Sequence, residues 1–169
     1  LLLASVNKMA RVTVSKSRDN EWQQKLLELR RVTRVVAGGK RMSFRVVMVI
    51  GDQKGRVGVG VAKGKDVARA TEKSVFQAKK NIFQVPVVDG TIPHQVEAKH
   101  SSARIIIKPA AKGRGLIAGG AARVVLSFAG IKDATTKNLG RTTNRLTNAE
   151  ATIRALKKLK ISSKIIKQQ

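Results

Sequence analysis

Residues 51–70 read GDQKGRVGVGVAKGKDVARA. Val57, Val59 and Val61 alternate with Gly58 and Gly60 before Ala62, the period of a strand with one apolar face and one bare face. A bare strand face permits close approach by a helix or by RNA. The glycine-bounded segment Gly51 to Gly55 reads as the turn that leads in. Asp66 is placed to N-cap a helix running to about Ile82, with Val67, Ala70, Ser74, Ala78 and Ile82 as its inner stripe. Arg69, Lys73 and Lys80 fall on its outer side.

Upstream, RVTRVVA (31–37) and FRVVMVI (44–50) have the same period and read as two further strands, turned at Gly38-Gly39. The result is a compact β-β-β-α module. Before it, EWQQKLLELRR (21–31) sets Trp22, Leu26 and Leu29 at helical spacing and predicts a short helix. Residues 1–24 read as a flexible basic extension. The initial LLLASV is too short for a signal segment, and the chain, lacking an initial Met, is expected to begin inside its gene product.

Downstream, VPVVDGTIP (85–93), with Pro86 and Pro93, breaks the pattern and marks a boundary. HQVEAK (94–99) and SARIIIK (102–108) read as strands, followed by the glycine-rich loop AAKGRGLIAGG (110–120). A helix from about Gly120 to Ala129 and a strand from about Ile131 to Asn138 come next. A last helix is expected from Thr147, where Thr147-Asn148-Ala149-Glu150 has the form of a capping box. The expected division is 1–24 extension, 25–88 first domain, 89–160 second domain and 161–169 basic tail.

Charge narrows the function. The 169 residues carry 35 Lys+Arg against 10 Asp+Glu, a net charge of +25. Solubility of a small domain asks for a magnitude of only about 2–8, so the excess points to a polyanionic partner. With Trp22 and four Phe as the only aromatics, both a membrane-lying helix and base stacking on single strands are disfavoured. Structured RNA, met through its backbone, fits best, and no membrane partner is expected. No run approaches membrane-spanning length. Absence of cysteine excludes disulfides and thiolate metal sites. His94 and His100 have no second ligand pattern around them, so no metal or cofactor is expected.

The acids are distributed unevenly. None lies between Glu28 and Asp52, where Arg30, Arg31, Arg34, Lys40, Arg41 and Arg45 surround the first hairpin. None lies between Glu97 and Asp133, where Lys99, Arg104, Lys108, Lys112, Arg114 and Arg123 surround the glycine-rich loop, and none follows Glu150.

Three segments, RVTRVVAGGKRMSF (31–44), GDQKGRVGVGVAKGKDVARA (51–70) and KPAAKGRGLIAGGAARVVLSFAG (108–130), together resemble the bacterial-type small ribosomal subunit protein five family, in its order and spacing. The resemblance covers about Leu26 to Leu159. It implies an α+β fold: a first domain akin to a double-stranded-RNA-binding domain lacking its first helix, and a second α/β domain with a left-handed β-α-β crossover, against the usual hand. It also implies binding to small-subunit ribosomal RNA, a part in subunit assembly and decoding accuracy, and contacts with ribosomal proteins four and eight and with messenger RNA near its entrance. The expected compartment is a bacterial cytoplasm, with an organellar ribosome left open.

Residue by residue, the family's RNA-reaching hairpin tip matches Ala37, Gly38, Gly39, Lys40 and Arg41, and its cations at the messenger entrance match Arg30, Arg31 and Arg34. With Arg45, Lys54, Arg56, Lys63, Lys65 and Arg69 these make the expected RNA-binding set. The accuracy-linked region beside protein four matches Lys112, Gly113, Arg114, Gly115, Gly119 and Gly120, with Arg123 close by. One departure lies at the tip: many members carry a further cation after the residue matching Ala37, so here the phosphate contact falls to Lys40 and Arg41.

Two rival readings share parts of this pattern. A free-standing RNA-binding or RNA-chaperone protein has every feature above. A GHMP-type small-molecule kinase shares the second domain's fold, and PAAKGRGLIAGGAA (109–122) is visibly like its phosphate loop. That loop, however, lacks hydroxyls at Ala118, Gly119 and Gly120, and its window lacks metal-binding carboxylates. A Walker A loop fails because Asp66 follows Gly64-Lys65 and Val59 stands where its first glycine belongs. No catalytic residue is assigned.

Overall fold

The computed structural model describes residues 22–160, so the expected tail at 161–169 and nearly all of the extension lie outside the described residues. Two four-stranded sheets and three helices follow one another along the chain. In the first sheet, β1 (Gln23–Val36), β2 (Gly39–Gly51), β3 (Arg56–Gly64) and β4 (Phe83–Gln84) lie side by side in sequence order, with α1 (Val67–Lys80) between β3 and β4. In the second, β5 (Val96–His100), β6 (Ala103–Pro109), β8 (Ala134–Asn138) and β7 (Leu116–Ile117) lie in that spatial order. Helix α2 (Gly120–Phe128) connects the parallel pair β7 and β8, and α3 (Arg145–Lys157) ends the described fold. This is the expected α+β architecture.

Where a helix is expected over 21–31, residues 23–31 form a strand instead. Leu26 and Leu29 have helical spacing, but β1 carries a bulge between Leu26 and Glu28 that shifts the alternation. Leu27 is consequently the buried leucine, while Leu26 and Leu29 stay largely exposed. The bulge produces a three-residue spacing inside a two-residue structure.

The bare face of β3 receives a helix. A Cβ added at Gly60 would lie 2.1 Å from the Ser74 carbonyl oxygen, and one at Gly58 would lie 2.5 Å from that of Ala78. Ala70, Ser74 and Ala78, the small residues of the inner stripe, are the buried ones on α1, because only small groups fit at this separation. Asp66 occupies the N-cap position, but its side chain makes no capping hydrogen bond.

The second face of the first sheet is also covered. Val47, Val49, Val57 and Val59 belong to the same apolar core as Val125 and Leu126 of α2, Leu156 of α3 and Ile105 and Ile107 of β6. Only Val46, Met48 and Ala70 form a separate small cluster, on the side of α1. The expected boundary at 85–93 is therefore a change of sheet within a shared core, and Val85 and Ile92 are themselves buried in it.

Helix α3 is capped three residues before its expected cap. Asn144 is the N-cap, its side-chain oxygen accepting from the Leu146 N–H at 3.0 Å, and the Thr147 hydroxyl donates to the Asn144 carbonyl from within the first turn. Asn is among the strongest capping residues, and Asn144 takes the role expected of Thr147. Leu156 and Leu159 face inward as expected, with Ile153 half-buried.

Candidate nucleic-acid interface

The charge of the first hairpin acquires meaning from its register. Across β1 and β2, Arg30 lies opposite Arg45 and Arg34 opposite Arg41. Across β2 and β3, Arg45 lies opposite Lys63. Opposed residues of an antiparallel pair share a face, so Arg30, Arg45 and Lys63 form one row across three strands and Arg34 and Arg41 a second row nearer the tip. Like charges directly opposed cost stability, on the order of 0.2–1 kcal/mol per pair. Among the described residues, Arg30 alone of these five cations forms an ion pair, with Glu28 at 2.6 Å.

Register also separates residues that sequence groups together. Arg31 pairs with Phe44 and Lys40 with Val35, so both lie on the opposite face of the ribbon from Arg30, Arg34 and Arg41. At the tip, Val36 pairs with Gly39, which places the turn at Ala37-Gly38, one residue earlier than expected. Gly39 has φ +124°, a conformation that excludes most side chains, and a Cβ at either glycine would touch nothing within 4 Å. The tip is thus bare backbone open to a large partner. On the Arg31 face, Val35 and Met42 are exposed, 73% and 53%.

Lys65 and Arg69 continue from the end of β3 into the exposed first turn of α1, near the base of the ribbon. Lys54 and Arg56 lie at the far end, about 40 Å from the tip along a strand of this length. Arg56 is also engaged: its Nε donates to Asp52 Oδ2 at 2.6 Å, and its guanidinium lies 4.8 Å from the centre of the Trp22 ring. Asp52 further accepts the backbone N–H groups of Lys54 and Arg56. Burial alone would raise the Asp52 pKa, but these donors outweigh it and hold the carboxyl below its ordinary value. Arg56 is a turn-fixing residue, and its charge is largely answered within the protein.

The glycine-rich loop is held at its centre. Gly113 and Gly115 adopt φ of +84° and +76°, and a Cβ on either would meet nothing within 4 Å, so glycine serves conformation there. The Gly115 N–H donates to Asp133 Oδ1 at 2.7 Å. A window free of acids in sequence therefore has a carboxylate beside it in space, supplied 18 residues later by the residue just before β8. That carboxylate takes up a backbone donor which a phosphate loop would present to its ligand. Lys112 and Arg114 stay exposed, as does Arg123 on α2, whereas Gly119, the N-cap of α2, lies beside the Asn138 side chain.

His100 sits at the end of β5, and its Nε2 meets a carboxylate oxygen of Glu150 on α3. His94 precedes β5 in a loop. Arg145, which charge runs gave no reason to single out, donates to the Leu27 carbonyl at 2.8 Å and ties α3 to β1. Among the described residues, no helix is long and apolar enough to cross a membrane.

Cations arrayed in rows on a twisted sheet, a bare hairpin tip and a second exposed basic loop define an α+β protein of the polyanion-binding kind. Comparison with known sequences makes this specific. Family models described as ribosomal protein S5, N-terminal domain, and ribosomal protein S5, C-terminal domain, match residues 22–86 and 98–169. The small ribosomal subunit protein uS5 of Thermotoga neapolitana is 46% identical over 147 residues, 87% of this chain and 82% of that protein. Proteins named uS5c from Rhodomonas salina and Cyanophora paradoxa are 46% and 43% identical, over 89% and 94% of this chain and 89% and 95% of their own. The chain belongs to the ribosomal protein S5 family, a structural, non-enzymatic component of the small ribosomal subunit.

Proposed function

We propose that the chain holds ribosomal RNA of the small subunit by its phosphates, using the β1–β2 ribbon as a rigid cationic arm. The observation that carries this reading is the register that sets Arg34 against Arg41 and Arg45 between Arg30 and Lys63. Such rows oppose folding in isolation and become favourable when phosphates lie along them. Phosphate contacts fix position without reading bases, so recognition follows RNA shape.

Residues 25–88 and 89–160 act as two domains, with the shared core setting the spacing between the ribbon and the loop at Lys112 to Gly120. The loop is the surface for ribosomal protein four, and through it the chain influences decoding accuracy. Contacts with protein eight, with messenger RNA near Arg30, Arg31 and Arg34, and a part in subunit assembly complete the reading. Relatives from bacteria and algae fit a ribosome of bacterial type, in a cytoplasm or an organelle.

Sedimentation tests the assignment. The chain is expected to travel with the small subunit through a sucrose gradient, with its contacts mapping to ribosomal RNA phosphates. A chain that stays at the top of the gradient while binding RNA would be a free-standing RNA chaperone.

A further inference from the structure

A groove of about 420 Å³ runs between the end of α1 and the outer side of α3, lined on one side by Val59, Lys80 and Asn81 and on the other by Glu150, Arg154 and Lys157. It is thus built from both sheets' helices, one wall from each. Lys80, Arg154 and Lys157 are exposed, and among the described residues none of them forms an ion pair.

Their placement is ordered without an acid partner. The Lys80 ammonium lies 4.5 Å from the centre of the Phe76 ring, and that of Lys157 lies 5.2 Å from the Phe83 ring. An ammonium over a ring face is held in position yet keeps its charge. Asn81 is fixed as well, its amide donating to the Val59 carbonyl at 3.3 Å.

The local charge stays positive after its opponents are counted. The carbonyl ends of α1 and α3 each present about half a negative charge, which the three cations more than offset. Glu150, the acid lining the groove, is engaged by His100 Nε2. Placing cations in the last turn stabilises each helix on its own, but does not require that two helices from separate sheets turn those cations to one groove.

We propose that this groove is a second RNA-phosphate site, separate from the ribbon, in which one stretch of ribosomal RNA backbone is gripped by both domains at once. It rests on the assignment of RNA as the partner of the ribbon. A groove open to solvent with three exposed cations suits a chain of phosphates passing over it, and not an enclosed small anion. Occupancy links α1 to α3, so bound RNA resists separation of the two sheets.

The test is phosphate-ethylation interference on transcribed small-subunit ribosomal RNA with the full chain. Ethylation removes the charge of single phosphates and reports those that matter. The parent is compared with Lys80→Ala/Arg154→Ala/Lys157→Ala and, separately, with Arg34→Ala/Arg41→Ala. Expected is that each variant loses its own distinct set of interfering phosphates, with affinity falling tenfold or more for the groove variant at low salt. If the groove variant keeps every interfering phosphate while the ribbon variant loses some, the groove proposal is wrong and the RNA reading stands. If no phosphate interferes even with the parent, both fall. Lys80→Gln/Lys157→Gln, which keeps most of each stem, gives the same comparison should the triple variant not fold.

Discussion

The backbone N–H of Gln53, in the turn after β2, donates to the carbonyl oxygen of Phe128, the last residue of α2, at 3.0 Å. Two glycines allow this approach. A Cβ at Gly51 would lie 2.4 Å from that same oxygen, and one at Gly130, where φ is +82°, would lie 2.2 Å from the Gln53 carbonyl oxygen. With the common core and the Arg145 bond to Leu27, the junction packs the two sheets directly against each other.

Gly51→Ala should therefore cost about 1–3 kcal/mol, the usual penalty for forcing a group into a filled space. Thermal unfolding followed separately by Trp22 fluorescence and by far-ultraviolet circular dichroism should give coincident transitions in the parent. Two separated transitions in the parent would show that the junction does not couple the sheets.

Arg34→Ala/Arg41→Ala should act in opposite directions on folding and binding. Removing a like-charge pair should leave the isolated protein unchanged or more stable by up to about 1 kcal/mol. Binding to small-subunit ribosomal RNA should weaken, and the slope of log affinity against log salt should fall by about 0.7–0.9 for each phosphate that is no longer neutralised. An unchanged slope would remove this row from the RNA interface.

Acid should unfold the protein partly through Asp52. Its folded pKa lies below the ordinary carboxylate value, so the stabilisation is fully present above the unfolded value of about 3.9 and is lost as pH falls through the folded one. Asp52→Asn should lower stability near neutral pH by about 1.5–3 kcal/mol, as expected for a hydrogen bond to a charged group, and flatten the loss below about pH 4. Urea titrations of both proteins across that range would check it; parallel pH profiles would refute the linkage.

The loop should depend on Asp133. Asp133→Ala leaves the Gly115 N–H without its acceptor and should cost about 1–3 kcal/mol. Amide exchange at Gly115 should accelerate more than exchange in β2, which is measurable by nuclear magnetic resonance. Arg114→Glu, by contrast, alters an exposed side chain and should leave the melting temperature nearly unchanged while disturbing accuracy in assembled subunits.

Much of the fold is legible in the sequence because its signals are local. The valine-glycine alternation of β3 and the small stripe of α1 each imply the other, since a helix can approach that closely only where both surfaces are small. Legibility fails where one residue changes phase. Leu26 and Leu29 read as helical because the bulge at Leu27 is invisible without β2 beside it. Asn144 is hidden as a cap because Thr147-Asn148-Ala149-Glu150 satisfies the same capping pattern three residues on.

The site divides in the same way. Sequence by itself determined the amount of positive charge, the windows free of acids and the glycines that free the tip and the loop, all of which are properties of single residues or short runs. Only the tertiary structure decided which cations lie side by side on one face. Register set Arg34 against Arg41 and turned Arg31 to the other face, the turn at Asp52 gave Arg56 a carboxylate partner within the protein, and the residue just before β8, Asp133, came to lie beside a loop whose sequence window is free of acids. Coulomb interactions depend on distance and burial, and those distances exist only after the core has fixed strand register and helix packing.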